Sequence, residues 1–325
     1  MPSMSLSLPS NHRLSAECHK PHVATPYRGK RRPLNTWPAF VEAHRDTGAF
    51  FDYLRKGRKG SVQLSQAILS ELEPDTALFL YANNHEARIA FASVAMRHFQ
   101  AFMDERETTF FWVTFIPGKF VVPESEAADF DPRRMQGWAH QALSGFSHLG
   151  MVELAYYTNV SALLRGHERG ASWHSHHLVW GCEKATLQQR MKTLNAQSKA
   201  FLPGVEPAFA VELRPEEVIG KLLYMLKFPQ SNYRCYPKKA KRFDAKTHKM
   251  ISEPTGFFRQ RKGELRPGEK ARVCRMLEDA YLHRLAFAGG EGVPLLAAIR
   301  KDALLPYRRE QSRVASRAAF SRARR

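Results

Sequence analysis

An α+β fold is what the order of hydrophobic patterns in this 325-residue chain predicts. Three observations carry the prediction. Thr109-Phe110-Phe111-Trp112-Val113-Thr114-Phe115-Ile116 is a nearly continuous apolar run closed by Pro117-Gly118, which reads as a strand covered on both faces and central to its sheet. Met151 to Tyr157 and Trp173 to Trp180 are two further strand-like runs. A helical stretch around Pro132 to Leu149 precedes the first of these, and a loop from Gly166 to Gly170 leads into the second. The order strand, helix, strand, strand makes the middle strands antiparallel neighbours.

Taken in order, residues 1 to about 35 are rich in Ser, Pro, His and Arg without an apolar period, so a disordered segment is expected there. Residues 36–105 read as helical scaffold, most clearly from His85 to Asp104, where Ile89, Phe91, Ala92, Val94, Ala95, Phe99 and Phe102 keep an apolar stripe. After the Trp173–Trp180 strand, Lys184 to Ala200 reads as a helix and Ala208 to Leu213 as a strand. Pro215 to Phe228 carries helix signals at both ends: Pro215 suits the first helical position, Glu216 and Glu217 complement the dipole, and Pro229 stops the helix. Residues 241–325 are a basic region with a helix expected from Glu269 to Ala288 and a break at Gly289-Gly290. The division expected is 1–35, 36–105, a sheet-forming domain at 106–240, and 241–325.

Charge narrows the class of partner. Fifty Lys and Arg against 31 Asp and Glu leave a formal +19, which attracts polyanions at long range. Nucleic acid is the first candidate and an anionic membrane surface the second. No apolar run approaches the ~20 residues of a membrane span, and no signal-peptide arrangement opens the chain, so a cytoplasmic protein is expected. Cys18, Cys182, Cys235 and Cys274 form no C-x-x-C pair, which argues for free thiols rather than a zinc finger or a disulfide framework. The last eighteen residues, Arg308 to Arg325, hold seven arginines and the single acid Glu310, as a disordered phosphate-seeking arm would.

Within Trp173-His174-Ser175-His176-His177-Leu178-Val179-Trp180, His174 and His176 are two apart. On a strand they emerge from one face, a ready pair of metal ligands. The alternative is an edge strand whose imidazoles bond to neighbours or water. In Pro215–Phe228 the apolar residues Val218, Ile219, Leu222, Leu223, Met225 and Leu226 cluster on one side, which puts Tyr224 nearly opposite, toward solvent or a substrate. Gly220 and Lys227 share its face, the glycine leaving the ring approachable. An exposed tyrosine on a solvated face is the alternative. Together these parts suit metal-assisted transesterification of DNA. A metal held by imidazoles polarises a phosphate oxygen, a phenolic oxygen attacks phosphorus, and a nearby ammonium lowers the cost of phenolate.

The order Phe111-Trp112-Val113-Thr114-Phe115, Trp173-His174-Ser175-His176 and Tyr224-Met225-Leu226-Lys227-Phe228 resembles motifs one to three of the HUH endonucleases. Within them it is most similar to single-tyrosine rolling-circle replication initiators of plasmids and filamentous phages. The resemblance covers about residues 106 to 235. It implies a central, mainly antiparallel sheet of about five strands with flanking helices, and a nucleophilic Tyr224 on a helix packed across it. It also implies Mg2+ or Mn2+ on His174 and His176, with Lys227 orienting metal or phosphate. The product would be a 5′-phosphotyrosine and a free 3′-hydroxyl primer. A third ligand would come from the preceding strand as Glu153, with His148 and His167 as rivals.

Ser175 departs from the family, which usually has a bulky apolar residue there, and His177 is the ligand of an alternative register. Phe228 stands where two-tyrosine members repeat the tyrosine, although Tyr233 or Tyr236 on a following loop could reach the site. No P-loop is present, so a host helicase is expected to open the duplex. Single-stranded or supercoiled origin DNA is the expected partner, contacted by Lys238, Lys239, Lys241 and Arg242 and by the C-terminal arm, with no membrane involved. A single-tyrosine transposase or mobilisation relaxase would use the same chemistry. A non-catalytic basic DNA-binding regulator would not.

Overall fold

A computed structural model of the chain describes residues 34–55, 64–244 and 247–323. The segment expected to be disordered, 1–35, lies outside them except for its last two residues. The N-terminal part supplies α1 (Trp37–Arg55), α2 (Gln66–Glu71), a 3-10 turn at Pro74–Phe79 and α3 (His85–Asp104). Asn84 caps α3 by accepting from the Ala87 N–H at 2.9 Å, one of the four donors that a helix start leaves without partners. Next come β1 (Phe110–Phe115), β2 (Val121–Pro123), α4 (Pro132–Ala142), β3 (Ser147–Thr158), β4 (Arg169–Trp180), α5 (Lys184–Gln197), β5 (Ala208–Leu213) and α6 (Pro215–Leu226). The chain closes with β6 (Ser231–Asp244), β7 (Lys249–Glu264), α7 (Pro267–Met276), α8 (Leu282–Leu285), β8 (Ala286–Gly289), α9 (Gly292–Ala303) and α10 (Leu305–Ala323).

The class is α+β, as expected, but the sheet is larger than five strands and is mixed. Its order is β5-β1-β4-β3-β6-β7, with β2 beside β4 and β8 beside β3. β3 and β6 run parallel over a short stretch, Tyr156 to Thr158 against Asn232 to Arg234, and the other named pairs are antiparallel. The additions escape sequence reading for physical reasons. β8 is four residues long, and β6 and β7 carry mostly Lys, Arg and polar residues, so no apolar alternation marks them.

Alternation divides the sheet into two faces. Phe110, Trp112 and Thr114 of β1, Leu149, Met151 and Glu153 of β3, and His174, His176, Leu178 and Trp180 of β4 share one face, given their cross-strand pairing. α6, α3 and α9 pack over it: Phe91, Leu149, Leu222, Met225, Leu296 and Ile299 meet there. The opposite face is covered by α4, where Trp138 sets its ring edge-on to Phe115 at 5.1 Å between centroids. One apolar core runs from Phe40 through the sheet to Ala303, joining the N-terminal helices, the sheet and α9. Burying so continuous a core is what holds the elements around the site together.

Two further expectations change. The helix expected from Glu269 to Ala288 ends at Met276, followed by Asp279 at φ +57°, then α8 and β8. The arginine-rich tail is helical through Ala323 rather than a disordered arm. Arg, Ala, Gln and Glu favour a helix there, and Arg313 pairs with Glu310 at 3.2 Å one turn back. The boundary expected at 240 falls inside β6, while α9 and β8 belong to the core of the sheet. Among the described residues no helix is long and apolar enough to cross a membrane.

Candidate metal and tyrosine centre

Glu153, His174 and His176 come together because of register. In the β3–β4 pairing Glu153 lies directly across from His174, and His176 stands between Met151 of β3 and Thr114 of β1. One potential ligand atom from each of the three lies within 4.8 Å of the others, and all three residues are buried. The group could hold a metal ion.

The hydrogen bonds orient the rings for that task. His174 Nδ1 donates to the Ser172 carbonyl at 3.1 Å, leaving Nε2 as the acceptor. His176 Nδ1 is 2.8 Å from Thr114 Oγ1; with its proton on Nδ1 it donates to that oxygen, and Nε2 is again left bare. Such second partners fix tautomer and ring plane in metal sites. Nε2 of His176 is 3.9 Å from Glu153 Oε1, and that oxygen is buried without a hydrogen bond. Two bare imidazole nitrogens and an orphaned carboxylate oxygen on one face are a donor set that suits a divalent cation.

Burial pushes both imidazoles down, His174 to about 4 and His176 well below the ordinary value, and the Lys227 ammonium adds to the effect. Neutral imidazole is the ligating form. Burial also raises the Glu153 carboxyl, opposed by Lys227 and Arg88.

α6 brings the second half. Tyr224 sets its ring edge-on to His176 at 5.7 Å and to Trp112 at 5.9 Å, while Trp112 stacks on His176 at 4.7 Å. Lys227 Nζ is 2.5 Å from Glu153 Oε2 and 3.7 Å from the Tyr224 ring centroid, so a single ammonium links carboxylate and phenol. The Tyr224 hydroxyl makes no hydrogen bond among the described residues. Burial raises its pKa, with the Lys262 ammonium opposing.

The end of α6 is fixed from outside residues 106–240. Arg88 of α3, buried, donates from Nη1 to the carbonyls of Leu226 and Lys227 at 2.9 Å each and from Nε to Ala82 O at 2.7 Å. A cation also complements the negative end of the helix. His44 of α1 accepts the Phe228 N–H on Nε2 at 3.1 Å and donates from Nδ1 to Phe40 O at 2.7 Å. Helices expected to be scaffold thus set the backbone that carries Lys227.

Several expectations are corrected. Tyr224 does not point away from the packed side of α6; it is half-buried against the sheet, because the helix lies across β1 and β4 with its polar stripe inward at the site. Gly220 faces the chain rather than a substrate, since a Cβ there would meet Asn35 O at 3.0 Å. His177 and Ser175 point to the opposite face, where Ser175 Oγ and His177 Nε2 bond at 2.8 Å, so neither belongs to the metal group. His148 is on that face too, and exposed His167 lies in the loop before β4.

Phe228 is core, edge-on to Phe51 at 5.8 Å. Tyr233 and Tyr236 are on strand β6 and not in a loop; Tyr233 stacks on Tyr157 at 5.2 Å beside the site. Lys238, Lys239, Lys241 and Arg242 are exposed on the outer half of β6, away from the metal group.

Sequence reasoning missed Lys221, whose Nζ is 4.9 Å above the Trp112 ring and whose pKa burial lowers to about 8. Its position three residues before Tyr224 was the available signal. No family model matches the chain, and no curated protein or solved structure is significantly similar to it.

Proposed function

We propose that this chain is a single-tyrosine DNA-nicking enzyme of the HUH endonuclease kind, acting as a rolling-circle replication initiator. The observation that carries the reading is the link made by Lys227, whose ammonium contacts both the Glu153 carboxylate of the metal group and the Tyr224 ring. Mg2+ or Mn2+ held by Glu153, His174 and His176 would polarise a phosphate oxygen and add positive charge beside the phenol.

Tyr224 is the nucleophile. Its oxygen forms a bond to phosphorus as the bond from phosphorus to the 3′ oxygen breaks. The phenolic proton passes to water, and the departing 3′ oxygen takes a proton from water. The products are a 5′-phosphotyrosine and a free 3′-hydroxyl, and the phosphodiester energy is kept in the adduct. Burial makes phenolate costly in the resting protein. The Lys262 ammonium favours the phenolate, and Lys227 holds Glu153 in place. Trp112, stacked on His176 and edge-on to Tyr224, fixes the distance between ligand and nucleophile.

The test incubates purified protein with Mn2+ and a pool of single-stranded fragments covering the DNA that flanks its own gene, then reads covalent adducts on a denaturing gel. Wild type forms an adduct and Tyr224→Phe forms none. An equal adduct in Tyr224→Phe would assign the nucleophile elsewhere. No adduct in wild type with any fragment would favour a non-catalytic DNA-binding protein.

A further inference from the structure

β6 and β7 leave the sheet together as a two-stranded ribbon. Beyond Pro237 nearly every residue on both strands is exposed, and the pairing continues to Asp244 opposite Lys249. At about 3.3 Å per residue the free part of β6 extends on the order of 25 Å. The extra residues at the irregularity between Pro237 and Lys239 are on β7, so β6 keeps its alternation.

The two faces of this arm differ. One carries Lys239, Lys241 and, at the tip, the cross-strand pair Phe243 and Met250, which are 55% and 59% exposed. Among the described residues no acid stands on that face. The other carries Ala240, Arg242, Asp244, Lys249, Ile251 and Glu253, where two cations meet two acids and Arg242 pairs with Glu253 at 3.7 Å. Alternation along β6 puts Lys239 and Lys241 on the same side as Tyr233, the neighbour of Tyr157, and so on the face of Glu153.

We infer that the Lys239, Lys241, Phe243 and Met250 face of this ribbon grips duplex DNA, the two lysines on phosphates and the apolar tip in a groove. Charge selects a polyanion, and shape selects a duplex: a two-stranded ribbon fits the ~12 Å major groove. A single-strand binder would present successive aromatic platforms, whereas here Phe243 and the His248 ring edge-on to it at 6.2 Å are at the tip and exposed Phe257 lies back in the bulge, with lysines between them. Arg242, adjacent in sequence but on the neutralised face, falls outside the contact set. The inference shares with the proposed function only DNA as partner.

The experiment measures fluorescence anisotropy of full-length protein with a labelled 30-base-pair duplex of mixed sequence and with one of its strands, without metal, across a salt series. Lys239→Gln/Lys241→Gln is expected to weaken duplex binding about 10-fold at 150 mM salt and to flatten the slope of log K against log salt by about 2, since each phosphate contact contributes about 0.9. Phe243→Ser/Met250→Ser is expected to weaken it about 5-fold with the slope unchanged, because an apolar contact releases no counterions. Arg242→Gln should change it less than 2-fold. All sites are exposed, and unchanged thermal melts confirm folding.

Duplex binding by Lys239→Gln/Lys241→Gln at wild-type strength overturns the inference, as does an equal loss in Arg242→Gln or an equal loss for the single strand. A failed nicking assay with these binding losses intact would sink the nuclease reading alone, and adduct formation without them would sink the ribbon alone.

Discussion

Nζ of Lys227 lies 2.5 Å from Oε2 of Glu153, and both side chains are nearly removed from solvent. A buried pair of this kind is costly to break, because removing one partner leaves the other charge without water or counter-charge. Lys227→Gln is therefore expected to lower the stability of the metal-free protein by roughly 3 kcal/mol near pH 8. The loss should shrink between pH 8 and pH 5, because burial raises the carboxyl and each proton it takes up removes the uncompensated buried anion. Urea melts at the two pH values read both effects. An equal loss at each pH would show that the carboxylate is not what the lysine compensates.

Added Mn2+ should stabilise the folded chain, since an ion that binds only the native state contributes RT ln(1 + [L]/Kd), about 2.7 kcal/mol at one hundred times Kd. The rise in melting temperature is expected to vanish in His174→Ala and in His176→Ala. It should persist in Ser175→Ala, although that variant loses the bond to His177 and melts lower. Loss of the shift in Ser175→Ala would mean that the metal sits on the other face of the sheet.

His44 makes the fold sensitive to acid. Its ring accepts from Phe228 N–H and donates to Phe40 O, an arrangement open only to neutral imidazole, and burial lowers its pKa to about 3. Between about 3 and the ordinary 6.5 the unfolded chain binds the proton and the folded one does not. Stability from this group is therefore complete above about 6.5 and is lost as pH falls toward 3. His44→Gln, which keeps one donor and one acceptor, should flatten the acid side of a stability profile by on the order of one proton, 1.36 kcal/mol per pH unit. An identical slope in the variant would assign the acid sensitivity to other buried histidines.

The site was legible where chemistry repeats at a fixed spacing. A period of two placed His174 and His176 on one face, and register then brought Glu153 opposite His174. Tyr224 with Lys227 was legible as a pair but not in orientation. A helical wheel cannot say that α6 lies with its polar residues inward, because that depends on what the sheet presents there. Arg88 and His44 were invisible as supports, since contacts across 138 and 184 residues leave no local pattern. The ribbon was hidden for the opposite reason. Its strands are held by backbone pairing and cover no core beyond Pro237, so the lysines read as a charge run and gave no sign of alternating faces.

Two glycines separate close approach from free surface. Gly150 of β3 pairs with His177, and a Cβ on it would stand 2.3 Å from His177 Nδ1, a clash that the buried ring cannot relieve without moving β3 or β4. Gly150→Ala is expected to cost about 1–3 kcal/mol by overpacking. Gly137 of α4 is exposed with nothing within 4 Å of an added Cβ, so Gly137→Ala should add about 0.5–1 kcal/mol through helix propensity. Chemical denaturation of the two variants gives both signs. The side chains near Gly150 lie on the face away from the metal group, so Gly150→Ala should retain the Mn2+-induced melting shift at its lower baseline. A lost shift there would mean that strain on one face of β3 and β4 is carried to Glu153 and His174 on the other.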